Sequence, residues 1–370
     1  MEEKYRIIPF EEKYYSQLIE LIREGWSDNH IFLKSDELVR WEYTGYGKKA
    51  GMKFPLLFDS EKLIGFRMMT PIELSVSDKE GNHTIVPSAV STVWFLKKEY
   101  RGQKLGLKMQ LHTIDYYGGY FAIASNLKTS APIHRRSGAK MLDTMYRYFR
   151  PLTNDISQLL VGEKCNDWTV REPQLVETPR EIYTAELENA WCKSIEGKNV
   201  TALNRSVDFW QWRYYDSPIY KYNFFQSDAG IIVGRISALY DDNRERNNLK
   251  VFRILELIPK DKSVWDGNAC KPLASLIDGV CGWAKQQECI AVEFYMSTSR
   301  FNRVMEDCCF DEINKDETKA NSVMSYFEPC TSSHRLSNVT VLSKYLPDDF
   351  DFENSYFTLS DADQDRPNII

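Results

Sequence analysis

The sequence predicts an α/β (α+β) protein made of two related domains in tandem, each a mixed, twisted sheet flanked by helices. Three observations predict it. An apolar strand, a helix and a second apolar strand follow one another twice along the chain. A short aromatic pattern ahead of each succession recurs after about 170 residues, a period too long for a solenoid. The chain has 370 residues, 43% of them hydrophobic. That is enough for two cores at roughly 150 residues per domain.

The repeated pattern comes first in each half. SDELVRWEYTGYG precedes KFPLLFDSEKLIGFRMM, and SVDFWQWRYYDSP precedes YKYNFFQSDAGIIVGRIS. In both, W-x-Y (Trp41 and Tyr43; Trp212 and Tyr214) closes a helical stretch. A strand, a turn and a second strand follow, the last carrying Gly65 or Gly234. Aromatic side chains at a helix end anchor it in a core. A saccharide stacked on them is the alternative use.

The strand–helix–strand units come next. In the first half a strand spans 88–96, a helix 104–117 and a strand 120–124, with Gly118 and Gly119 stopping the helix. In the second half the strands are 250–258 and 290–296. The helix between them covers 269–286, with Pro272 in its first turn. Leu273, Leu276, Ile277, Val280 and Ala284 give that helix one apolar face. The first helix has two. Leu107, Leu111, Ile114 and Tyr117 lie on one side, and Leu105, Met109 and Tyr116 lie nearly opposite. One face packs on its sheet, and the second half is expected to cover the other. The expected boundaries are 1–160 for the first domain, 161–200 for a crossover, 201–345 for the second domain and 346–370 for a tail.

Composition narrows the function. A net charge of −6 supplies no global field for nucleic acid or an anionic membrane. No apolar run approaches the roughly 20 residues of a membrane span. The start, MEEKYRIIPFEEKYY, lacks the apolar segment of a signal peptide, so a cytoplasmic location is expected. None of the eight cysteines precedes Cys165, and no two have C-x-x-C spacing. The chain, including Cys330 near its end, reads as free thiols with no metal site.

The most informative segment is STVWFLKKEYRGQKLGLK, 91–108. An apolar strand ends at Leu96, and Arg101-Gly102-Gln103-Lys104-Leu105-Gly106 leads directly into a helix. A helix start presents unpaired N–H groups along a positive dipole, and glycine lets an anion approach them. Lys97, Lys98, Arg101, Lys104 and Lys108 stand there against Glu99 alone. In an acidic chain, that local excess favours an anion cradle over a merely solvated turn. Walker and dinucleotide glycine patterns are absent.

The segment resembles the pyrophosphate loop of the GNAT (acyl-CoA N-acyltransferase) superfamily, [RQ]-x-x-G-x-[GA]. Arg101 matches the first position and Gly106 the last, while Lys104 replaces the middle glycine. Downstream, Asn126 stands where that family has a cofactor-facing polar residue. The run 133–139, IHRRSGA, aligns with its L-Y-x-K-x-G-F signature. The order of elements, together with the tail Tyr356-Phe357-Thr358 through Asp361, Asp363, Asp365, Arg366 and Pro367, is similar to bacterial tandem-GNAT proteins of surface-polysaccharide synthesis.

The resemblance implies an acetyl-CoA or other short acyl-CoA cofactor held by Arg101 to Gly106. Its pantetheine arm would lie along the backbone of Val93, Trp94, Phe95 and Leu96, near Asn126. It implies a primary-amine acceptor, an amino sugar among the candidates, in a monomer or homo-oligomer. His134 stands in the position of the family's tyrosine acid, with Tyr146 and Tyr148 as alternative donors; Glu73 is the candidate base. The second half has no such loop in 259–271, so one cofactor per chain is expected. Two other readings are a GNAT-fold interaction protein without catalysis and a Fem-type peptidyltransferase.

Overall fold

The computed structural model describes residues 4–25, 28, 30–160, 168–240, 247–315, 317–324 and 337–363. The first half runs β1 (Tyr5–Pro9), α1 (Tyr15–Gly25), α2 (Asp36–Thr44), β2 (Pro55–Asp59), β3 (Lys62–Ser77), β4 (His83–Leu96), α3 (Leu105–Tyr117), β5 (Gly119–Ile123), α4 (Ser130–Arg136), β6 (Lys140–Leu142) and β7 (Tyr146–Pro151). The second half opens with α5 (Thr184–Ile195), β8 (Thr201–Leu203) and α6 (Val207–Trp210), which continues into a π-helical turn at Gln211–Tyr215. It goes on with β9 (Asn223–Ser227), β10 (Gly230–Tyr240), β11 (Asn247–Pro259), α7 (Lys271–Gln286), β12 (Cys289–Met296), α8 (Asn302–Asp307) and β13 (Asp311–Glu312). Helix α9 (Glu317–Ser322), β14 (Val339–Ser343) and β15 (Ser355–Tyr356) complete it.

The two W-x-Y segments are built alike. Ser35 caps α2 by accepting from the Leu38 N–H at 3.1 Å, and Ser206 caps α6 by accepting from the Phe209 N–H at 3.3 Å. Both tryptophans then fall six residues after the cap.

Two mixed sheets result, ordered β1-β2-β3-β4-β5-β14-β6 and β13-β7-β12-β11-β10-β9. Sheet membership crosses the sequence boundary in both directions. β7, inside 1–160, pairs with β12 and β13 of the second sheet. β14, from the end of the second half, inserts between β5 and β6 of the first. Each half lends a strand to the other's sheet. A buried cation–anion–cation chain fixes one loan: Glu293 of β12 accepts from Arg147 of β7 at 3.1 Å and from Arg253 of β11 at 3.0 Å. A buried hydrophobic cluster continues from Ile72, Val90 and Phe121 through Tyr148 and Trp191 to Phe252 and Ile254. The halves therefore share a core.

The contact between halves is not the one expected from α3. Its buried positions are Leu105, Met109, Gln110, Thr113 and Tyr117, while Leu111 is 48% exposed. The Leu107–Leu111 side faces solvent, because strand exchange has already joined the halves elsewhere. Among the described residues no helix is long and apolar enough to cross a membrane, and no His, Cys, Asp and Glu group could hold a metal ion. The six described cysteines are free, four of them buried. Cys165, Cys330, Asp365, Arg366 and Pro367 lie outside the described residues.

Candidate active site

Between β4 and α3 the basic loop stands open. Arg101, Gly102, Gln103 and Lys104 are exposed, and only Leu105 turns inward. Lys104 is the N-cap of α3; no side chain caps the helix and its first turn holds no acid. The first amides of the helix and the positive end of its dipole therefore have no side-chain partner at the N-cap. Arg101 holds the loop back on the strand by donating from Nε to the Leu96 carbonyl at 3.0 Å. Tyr5 donates to Gln103 Oε1 at 2.8 Å. Lys97 is paired with Glu24, leaving Lys98, Arg101 and Lys104 as the loop's exposed cations.

Lys104 replaces the glycine of the pattern but not its conformation. It sits at φ 60°, ψ 13°, the left-handed region, and Gly102 before it is at φ 83°. Gly106 sits in a tight place. A Cβ there would lie 3.2 Å from Ile133 Cδ1 and 3.4 Å from Trp94 Cζ2.

Behind the loop, β4 and β5 part. They run parallel and share one paired position, Val90 with Phe121. Just past it, β4 carries a bulge. Arg67 faces Trp94 and Met69 faces Ser91, so Thr92 and Val93 together oppose Met68. A bulge leaves one residue outside the ladder, with backbone groups free to be aimed elsewhere. The Val93–Leu96 segment expected to carry the arm is thus the edge exposed by the parting strands.

On the α3 face of this wedge the side chains converge on Arg67. Its guanidinium lies 4.7 Å from the ring centres of both Trp94 and Tyr120. Tyr120 and His134 Nδ1 share a 2.8 Å hydrogen bond, and Trp94 lies 5.9 Å from the His134 ring. His134 is 2% exposed. Burial, and next the Arg67 charge, lower its pKa to about 3. It reaches the wedge, but as a neutral imidazole; an imidazolium acid near neutral pH does not fit this environment.

Other candidates fall elsewhere. Asn126 spends its side-chain oxygen on the N–H groups of Lys128 and Thr129, shaping the turn into α4. Phe95 points away from α3, packing near Phe66 and Gly25. Glu73 pairs with Pro87, beyond the closing position from the loop, and accepts from Asn204 Nδ2 at 3.1 Å. Tyr146 and Tyr148 lie on β7 in the second sheet, bonded to Glu353 and Asn302. Arg67 and Tyr120 were not anticipated. The single charge in the run Leu63–Ile72 was the available signal for Arg67.

The second half repeats the wedge and closes it. β11 and β12 stay paired from Lys250/Cys289 to Ile254/Phe294 and then part, and β11 bulges at Leu255. The chain's own tail enters there. The Tyr356 hydroxyl accepts from the Leu257 N–H at 2.8 Å and donates to the Leu257 carbonyl at 3.3 Å. Phe357 exchanges two hydrogen bonds with Ser297. Arg205, wholly buried, joins Glu256 and Asp361 at 3.0 Å each.

The order β1-α1-α2-β2-β3-β4-α3-β5-α4-β6, the parting of β4 from β5 and the bulge between them define the architecture. No family model matches the sequence, and no curated protein does. Solved structures do match. A GCN5-related N-acetyltransferase from Anabaena variabilis superposes with TM-score 0.51 at 10% identity, over 91% of this chain and 72% of its own. One from Kribbella flavida gives 0.51 at 12% identity, over 91% and 70%. Saccharomyces cerevisiae N-myristoyltransferase with bound myristoyl-CoA gives 0.54 at 10% identity, over 93% and 80%. The chain has the GNAT fold. In this GNAT fold one wedge opens behind a basic loop and the other is filled by the tail.

Proposed function

We propose that the chain is an acyl-CoA-dependent N-acyltransferase that moves an acetyl or other short acyl group to a primary amine, using one cofactor per chain. The observation that carries this is the uncapped start of α3, ringed by exposed cations, directly behind the parted β4 and β5. The Saccharomyces neighbour holds an acyl-CoA, which supports the same class of cofactor here.

In this reading the α3 amides with Arg101 and Lys104 bind the diphosphate, and the arm runs between β4 and β5 as an added strand. Backbone N–H groups freed by the Thr92–Val93 bulge polarise the thioester carbonyl. His134, neutral and with its tautomer set by Tyr120, hydrogen-bonds the departing CoA thiolate without giving up its proton, while the attacking amine loses its proton to water and water protonates the thiolate. Positioning then supplies much of the rate enhancement. An amino sugar in cytoplasmic surface-polysaccharide synthesis is the proposed acceptor.

Thermal denaturation with acetyl-CoA at up to millimolar concentration tests the cofactor, because a ligand of the folded state raises the midpoint. No rise at any concentration would discard the reading. Thiol release against a panel of amines and amino sugars, with product masses, then identifies donor and acceptor.

A further inference from the structure

Four buried arginines among the described residues are neutralised. Arg147 and Arg253 share Glu293, Arg150 pairs with Asp278, and Arg205 pairs with Glu256 and Asp361. Arg67 differs. It is fully buried and has no ion-pair partner among the described residues. Its Nε donates to Ser91 Oγ at 3.0 Å and its Nη1 to Gln110 Oε1, while Nη2 has no hydrogen-bond partner. The groups facing it are Ser91 and Trp94 of β4, Gln110 of α3, Tyr120 of β5 and His134 of α4, none of them an acid. Burial lowers its pKa to about 10, which still leaves it charged at neutral pH.

A buried, uncompensated cation is costly to a fold. This one stands where β4 and β5 part, with a free donor. We infer that Arg67 receives a carboxylate carried into the wedge by a substrate, its Nη2 donating to a carboxylate oxygen. The exposed loop already accounts for the cofactor's phosphates. A guanidinium 4.7 Å from the ring centres of both Trp94 and Tyr120 still offers planar donors that match a small planar anion. The carboxylate has two possible sources, the far end of a dicarboxylic acyl group or the α-carboxylate of an amino-acid acceptor. The inference rests on the acyl-CoA reading above.

The test uses the full chain. Acetyl-CoA and succinyl-CoA are compared by calorimetry, and glycine and glycinamide are compared as acceptors of acetyl groups by thiol release. A terminal-carboxylate donor predicts that succinyl-CoA binds at least tenfold tighter than acetyl-CoA. An amino-acid acceptor predicts that glycine is used at least tenfold more efficiently than glycinamide. In Arg67→Gln the relevant preference falls to about unity, and Arg67→Lys retains part of it. The wild-type comparisons do not depend on the variants folding. If acetyl-CoA binds but the carboxylate confers no preference in either arm, the Arg67 assignment falls and the acyl-CoA reading stands. If no CoA ester binds, both fall.

Discussion

Trp41 and Trp212 each donate the indole N–H to the other's main-chain carbonyl, at 2.7 and 2.9 Å, with rings stacked 5.4 Å apart at 21°. The two residues hold equivalent places in the sequence repeat, so the reciprocal pair marks the pseudo-twofold relation between the halves. It also explains why W-x-Y recurs: Tyr43 and Tyr214 enter the cores, and the tryptophans join them.

Trp41→Phe and Trp212→Phe should each cost about 1 kcal/mol, the worth of one hydrogen bond. The double variant should depart from additivity by at least about 0.5 kcal/mol in urea denaturation. Strict additivity would mean that the rings do not sense one another.

Gly106→Glu should abolish the acetyl-CoA thermal shift while lowering the ligand-free midpoint only slightly. The added side chain meets the ends of Ile133 and Trp94, and its charge opposes the phosphates. Because the loop cations are exposed, the wild-type affinity should also weaken as salt rises. A retained shift would move the phosphate site away from this loop.

Lys104→Gly separates conformation from charge. A left-handed side-chain residue costs about 1–2 kcal/mol, partly offset by the greater freedom of unfolded glycine. The variant's midpoint should therefore equal or exceed the wild type's, while acetyl-CoA binds more weakly for want of one cation. A marked loss of stability would contradict the strained cap.

Tyr356→Phe strands both backbone groups of Leu257 in the filled second wedge. The expected loss is about 1–3 kcal/mol in denaturant. The acetyl-CoA shift should stay the same size, since the first wedge is untouched. A lost shift would link the tail to cofactor binding.

Acid should weaken the fold through its buried histidines. Burial lowers His134 to about 3 and His30 to about 4, from an ordinary 6.5. Between those values and 6.5 the unfolded chain binds more protons, so their contribution is complete above pH 6.5 and is lost as pH falls. Each histidine gives a slope of about 1.4 kcal/mol per pH unit in its window. Asp361, raised by burial and then by Glu256 against the pull of Arg205, acts in the opposite sense above the ordinary aspartate range. Denaturation at pH 5, 6 and 7 should show a shallower dependence in His134→Gln than in the wild type. Equal slopes would place His134 in water.

The sequence by itself determined the local elements and the loop. Periodicity, caps and glycines are short-range signals, and Ser35, Gly118 and Pro272 act within one turn of themselves. The stretch 101–106 could therefore be read as an anion cradle from charge and glycine placement alone. Tertiary structure decided what no local pattern encodes. It set the exchange of β7 and β14, the tail lodged in the second wedge, the neutral state of His134, and the meeting of Arg67 with Trp94 and Tyr120. Each depends on burial and on partners far away in the chain, and desolvation, which sets the charge and worth of such groups, exists only once the sheets have closed around them.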